Sequence, residues 1–266
     1  MSNSRTSHGW GRALPLIVGA ALVIVASLPD GTSVAAQGAT VCNPANFSIA
    51  IDVGHTPEAP GTTSARGVAE HAYNLQLANE IKRALLEGGY SRVTLITARG
   101  IGRTQLLARV KRANALNVDL LLSVHHDDVQ DFYHAKWNYN GVTRAFSDKF
   151  SGYSLFVSRQ NQHFERSLAF AKLLGAALME QGLRYSAHHA EAIPGEGRQL
   201  IDSKAGVYLF DNLVVLKFTK APAVLLEAGV IVNRIEELVL ASAEGREHIS
   251  AAVLEAVSQF CRERPL

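Results

Sequence analysis

Two apolar runs in this chain stop on a histidine: Ile49-Ala50-Ile51-Asp52-Val53-Gly54-His55 and Leu120-Leu121-Leu122-Ser123-Val124-His125. Each reads as a buried strand that delivers an imidazole to a sheet edge. Open α/β sheets hold their ligands at the carboxyl ends of parallel strands, so the two rings can converge on one metal ion. A third run, Ala223-Val224-Leu225-Leu226-Glu227, ends on a carboxylate. Imidazole and carboxylate at the strand ends of one sheet are the parts of a catalytic zinc site, which has three protein ligands and a coordination position left open for water. Glu70 opens the first helix after a loop, so His55, Glu70 and His125 can share one rim. Their spacing is irregular, unlike a His-Glu-x-x-His pair on one helix, and does not decide the matter alone. A glutamate in a first helical turn also complements the helix dipole, and a histidine at a strand end can be a plain hydrogen-bonding residue.

The elements that must position these side chains alternate. After the first strand comes a Gly/Pro/Thr-rich loop over 56–67. Residues 70–87 then carry apolar side chains at helical spacing, and Gly88-Gly89 end the helix. Residues 92–97 alternate as a strand, 104–116 return to a helix, and the strand ending on His125 follows at once. A polar, aromatic stretch over 127–150 precedes a strand at 153–157 and a helix over about 164–181. A second irregular segment, 182–221, contains one strand candidate at 213–218. The strand ending on Glu227 and a last helix, about 245–264, complete the chain. The pattern predicts an α/β fold with a mostly parallel twisted sheet covered by helices on both faces, in a single domain over 47–264.

With 266 residues and 47% hydrophobic content the chain can bury a sizeable core. Its front end differs from the rest. Arg5 and Arg12 precede an uncharged apolar run from Ala13 to Leu28, and Ser33-Val34-Ala35-Ala36 follows. That order predicts a secretory signal peptide over 1–35 and a short extension over 36–46. The apolar run is shorter than the ~20 residues of a comfortable membrane span. The expected location is therefore the periplasm or cell envelope, or outside the cell, with no stable membrane insertion after cleavage. Loss of Arg5, Arg12 and Asp30 lowers the formal charge from +2 to +1, which argues against nucleic acid as a partner. Cys42 and Cys261, near the two ends, are expected to form a disulfide in an oxidising compartment.

Read as whole segments, the sequence resembles the zinc-dependent N-acetylmuramoyl-L-alanine amidases of the type-3 amidase family, which cleave peptidoglycan. The matching segments are Ile51-Asp52-Val53-Gly54-His55; Gly67-Val68-Ala69-Glu70 with Asn74-Leu75; Leu106, Arg109, Ala113-Asn114 and Asp119 running into Ser123-Val124-His125; and 222–229 with Asn233. They span about 47–260 in order. The resemblance implies a phosphorylase/hydrolase-like fold, with Zn²⁺ bound by His55, Glu70 and His125 and Glu227 as the catalytic carboxylate. It also implies a peptidoglycan substrate and room for a protein activator; the chain itself is expected to be a monomer. The other hydrolytic readings are a zinc peptidase or deacetylase on the same fold, and the non-enzymatic one is a wall-binding relative that has lost turnover.

The chain departs from the family pattern in several places. Thr56-Pro57 stand where a glycine pair is usual, His126 stands beside His125, Asp127-Asp128 follow, and Val230-Ile231-Val232 replace an aromatic-containing sequence. Successive strand residues point to opposite faces, so only one of His125 and His126 should face an ion, and the serine-valine-histidine match selects His125. If Glu227 were instead an ion-pair partner, Arg66 or Arg234 would be the cation. In the irregular segments, Phe132, Tyr133, Trp137 and Tyr139 are expected to stack on sugar rings, to form an exposed apolar patch for a partner, or to anchor a long loop to the body. His188-His189 read either as an extra metal or substrate contact or, as is commoner for a surface pair in a polar loop, as neither.

Overall fold

The computed structural model describes residues 42–263, so the leader expected over 1–35 and the start of the 36–46 extension lie outside the described residues. In chain order the elements are β1 (Ser48–Val53), α1 (Glu70–Glu87), β2 (Arg92–Ile96), α2 (Gly102–Leu116), β3 (Leu120–Asp127), β4 (Ala135–Tyr139), β5 (Val142–Phe146), β6 (Ser154–Val157), α3 (Phe164–Glu180), β7 (Leu200–Asp202), β8 (Val207–Leu209), α4 (Val214–Phe218), β9 (Ala223–Val230), α5 (Glu236–Ala241) and α6 (Ala243–Arg262). Seven strands form one sheet in the order β2-β1-β3-β9-β6-β8-β7. β1 runs parallel to β2 and β3, β3 to β9, and β6 to β8, whereas β6 meets β9 and β7 meets β8 antiparallel. The fold is the α/β sheet with mostly parallel pairing that the sequence predicts.

Alternation along the central strands sorts their side chains between two layers. Ile49, Ile51 and Val53 on β1, Leu122 and Val124 on β3 and Leu226 on β9 pack in the cluster shared with α1, α3 and α6. Ala50, Leu121 and Leu225 pack in the cluster shared with α2 and α4. Both faces of these strands are covered, which is why they read as nearly continuous apolar runs. The chain leaves β1 toward β2 on one side and returns to β3 on the other. The carboxyl ends of β1 and β3 therefore form a topological switch point, where open α/β sheets carry their sites.

The sequence expectations fail mainly in the irregular segments. Residues 213–218, expected as a strand, form the short helix α4. Its β-branched residues suit a strand, but Asn161 Nδ2 donates to the carbonyls of Leu216, Thr219 and Ala221 at 2.7, 3.0 and 3.2 Å and satisfies the end of a helical turn. The stretch 127–150 contains the hairpin β4–β5, and 182–221 contains β7 and β8. Cys42 and Cys261 are joined in the expected disulfide and tie the first described residue to the last helix. Among the described residues no helix is long and apolar enough to cross a membrane.

Candidate active site

Past the end of β1, Gly54 N donates to Val124 O at 2.9 Å, and the imidazole of His125 lies where a side chain at 54 would go. A Cβ at Gly54 would stand 2.6 Å from His125 Nε2 and 2.7 Å from Asn74 Nδ2. His55 then adopts φ 63°, a left-handed conformation uncommon for a side-chain-bearing residue. Arg109 of α2 stabilises that conformation by donating to the carbonyls of Val53 and His55. The same guanidinium pairs with Asp52 Oδ1 at 3.2 Å and donates from Nε to Gln105 Oε1 at 2.8 Å, and Ser123 Oγ donates to Asp52 Oδ2 at 2.8 Å. Arg109 is only 1% exposed, and a cation that deep is tolerated because every direction offers it an acceptor.

Glu70, the first residue of α1, closes the arrangement from the opposite layer. Its Oε2 lies 2.8 Å from His55 Nε2 and its Oε1 lies 3.0 Å from His125 Nδ1. Asn74 Nδ2 and the backbone N–H of His126 also donate to Oε1 at 3.1 and 3.3 Å, and Thr62 N donates to Oε2 at 3.2 Å. Burial works against the charged carboxylate, but the hydrogen bonds from His125 and His55 outweigh it and hold Glu70 well below the usual range. Glu70 is therefore an anion facing two imidazoles. One nitrogen from each histidine and one carboxylate oxygen all lie within 4.8 Å of one another. Two imidazole nitrogens and a carboxylate oxygen are the donors of a catalytic zinc site, so the residues fit that ion. The approach to them is also cleared: a Cβ at Gly61, which has φ 79°, would collide with Glu70 Oε2 and His55 Cδ2.

His126 faces the other layer, as strand alternation requires. Its Nδ1 lies 2.7 Å from Asn74 Oδ1 and its ring packs 5.4 Å from that of Tyr73. Burial pushes its pKa down to about 3, so the ring is neutral. The structure thus brings His55, Glu70 and His125 together and leaves His126 out.

Glu227 stands in register with His125 on the adjacent parallel strand, so the two side chains share a face. Its Oε2 is shut off from solvent without a hydrogen-bond partner. Burial, followed by the charges of Asp127 and Glu70, raises its carboxyl well above the ordinary value, and Arg198 pulls the other way. Arg66 and Arg234, the ion-pair partners considered from sequence, are engaged elsewhere. Arg66 Nη1 pairs with Glu237 Oε2 at 2.8 Å, and Arg234 Nε donates to Asp148 Oδ2 at 3.0 Å.

A cavity of about 310 Å³ opens at this rim, with His125, Asp127, His189, Glu196, Arg198 and Glu227 on its polar side. The sequence reading misses Asp127, Glu196 and Arg198 as residues of this cavity. It also misplaces His188 and His189, which are 1% and 6% exposed rather than at the surface. The signal for all of them was the acidic pair after His126 and the histidine doublet in the second irregular segment. Of the aromatics, Trp137 anchors the hairpin: its Nε1 donates to Ala65 O at 2.9 Å and its ring stacks on Tyr139. Tyr133 packs on Phe150, and Phe132 stays exposed.

Comparison with known proteins bears on the whole of this architecture. The structure is similar to the N-acetylmuramyl-L-alanine amidase Ami1 of Mycobacterium smegmatis, with a TM-score of 0.63, 19% identity, and coverage of 84% of this chain and 100% of that one. It is similar to the catalytic domain of the amidase CwlV of Bacillus (Paenibacillus) polymyxa, with a TM-score of 0.58, 20% identity, and coverage of 80% and 97%. The CwlD amidase of Clostridioides difficile, whose structure is in complex with the GerS lipoprotein, matches with a TM-score of 0.56, 17% identity, and coverage of 81% and 98%. At these identities the likeness speaks for the fold. No curated protein sequence matches the chain. The sequence model for N-acetylmuramoyl-L-alanine amidase matches residues 49–259, which include His55, Glu70, His125 and Glu227, and the chain belongs to that amidase family.

Proposed function

We propose that this chain is an exported zinc hydrolase that cuts the amide between N-acetylmuramic acid and the L-alanine of the peptidoglycan stem peptide. The observation that carries the reading is the convergence of His55 Nε2, His125 Nδ1 and the Glu70 carboxylate at the switch point, with Glu227 in register beside His125. His55, Glu70 and His125 would hold Zn²⁺, which when bound polarises an amide carbonyl and lowers the pKa of water toward ~7. Arg109 and Asn74 orient the ligands, Arg109 through the His55 carbonyl and Asn74 through Glu70 Oε1. Glu227 would take a proton from the attacking water at a carboxylate oxygen and pass it to the leaving nitrogen of L-alanine. Its unpartnered Oε2 is free for that exchange. Export rests on the disulfide between Cys42 and Cys261, a bond suited to an oxidising compartment. A protein partner is proposed beside the wall substrate, on the precedent of CwlD with GerS.

The test is a digest of purified peptidoglycan by the purified protein and by Glu227→Ala, with products read by mass spectrometry and bound zinc by elemental analysis. Free stem peptides beginning with L-alanine are expected from the wild type. Acetate release or cuts inside the peptide would overturn the reading in favour of a deacetylase or peptidase. Glu227→Ala should keep its zinc and lose turnover by ~10²-fold or more, because it removes the proton carrier and spares the ligands.

A further inference from the structure

Asp127 Oδ2 lies 3.2 Å from His188 Nε2 and 2.8 Å from His189 Nε2, so one carboxylate oxygen faces two imidazole nitrogens. The remaining atom of each group is already held from behind. Asp127 Oδ1 accepts from Asp128 N at 2.9 Å, His188 Nδ1 lies 2.8 Å from Ser186 Oγ, and His189 Nδ1 lies 2.9 Å from Glu196 Oε2. Glu196 can only accept when ionised, so its bond places a proton on His189 Nδ1. Its other oxygen is itself anchored by Gln130 Nε2 at 2.8 Å. That outer arrangement aims Nε2, Nε2 and Oδ2 at one point and fixes the ring orientations, as the shell behind a metal site does. His188 Nε2 is buried, and its 3.2 Å approach to Asp127 Oδ2 lacks the geometry of a hydrogen bond. With its Nδ1 proton committed to Glu196, His189 Nε2 faces Asp127 Oδ2 either as part of an imidazolium or, with an ion between them, as a free lone pair, and the two rings lie 3.9 Å apart.

We propose that Asp127, His188 and His189 form a second binding site for a divalent cation of the zinc type, distinct from His55, Glu70 and His125. Two imidazole nitrogens and one carboxylate oxygen match such an ion, and the three donor atoms lie within 4.8 Å of one another. Asp127 and His189 line the cavity that also receives Glu227, so an ion held there would adjoin the same space. The ion would present a positive charge to an acidic group of a peptide lying in that cavity. The site is independent of the ion proposed for hydrolysis, because it shares none of its ligands.

Metal-stripped protein is titrated with Zn²⁺ and with Co²⁺, and ions per chain are counted in the wild type, His55→Ala, His189→Gln and the double variant, with folding checked by circular dichroism. The proposal expects two ions in the wild type, one in each single variant and none in the double variant. Glu196→Gln should weaken the second ion by ~10–100-fold while leaving the first unchanged, since it removes the support of His189 Nδ1. One wild-type ion, lost in His55→Ala and kept in His189→Gln, overturns this site and leaves the amidase reading intact. One ion with the opposite pattern keeps this site and overturns the first. Should His189→Gln fail to fold, an anomalous-scattering map of wild-type crystals at the zinc edge decides. A peak among Asp127 Oδ2 and the two Nε2 atoms supports the site, and its absence there removes it.

Discussion

At the scale of single residues, the histidine doublet at the end of β3 separates two chemical roles. His125 turns its Nδ1 to Glu70 and shares a face with Glu227, whereas His126 bonds Asn74 behind the sheet. His125→Ala should therefore lose the ion assigned to His55 and Glu70. Equal zinc content in that variant and the wild type would refute the ligand assignment. His126→Ala should keep the ion and lose about 1–3 kcal/mol of stability, because Asn74 Oδ1 is left buried without its partner. Urea unfolding with zinc analysis on both proteins separates the two effects. The doublet is legible in sequence only as a choice between neighbours. Strand alternation says that one ring faces the rim, and packing against Tyr73 and Asn74 settles which one.

At the scale of elements, α2 supports the end of β1. Arg109, itself 1% exposed, reaches from the helix to the buried Asp52 and to the carbonyls of Val53 and His55. Arg109→Met should destabilise the protein by about 3–5 kcal/mol, since it leaves Asp52 charged or forces it to take up a proton in an apolar layer. Adding Asp52→Leu should recover most of that loss and still leave the zinc affinity reduced, because no group then fixes the His55 carbonyl. Denaturant midpoints for the single and double variants, with zinc titrations on each, test both halves. A double variant as unstable as the single one would show that the stabilising contact is the backbone one. Arg109 and Asp52 are visible in the sequence as matched positions. Their pairing is not, because they lie on different elements 57 residues apart.

At the scale of the whole molecule, the disulfide between Cys42 and Cys261 spans 219 residues and ties the start of the sheet to α6. Replacing both cysteines with alanine should cost about 2–5 kcal/mol by releasing the unfolded chain, and reductant should bring the wild type toward the same midpoint. Unchanged denaturant midpoints under both conditions would show that the bond adds nothing to stability. The sheet order behind that closure also explains which parts of the protein the sequence determines by itself. Buried strands, amphipathic helices and their punctuation depend on neighbours a few residues away, so β1, α1, β3, α3, β9 and α6 are read close to their true bounds. The apolar runs that lead to His55, His125 and Glu227 follow from the same local pattern, but their ends do not: β1 stops at Val53, β3 continues to Asp127 and β9 to Val230. The hairpin β4–β5 is local too, signalled by Asn140-Gly141 at positive φ, and is missed rather than hidden. Only the tertiary structure decides that α4 is a helix and that His188 and His189 are buried against Asp127. Those outcomes depend on partners 55 to 62 residues away, Asn161 for α4 and Asp127 for His189. Periodicity records which side of an element is apolar; it does not record which distant element will face it.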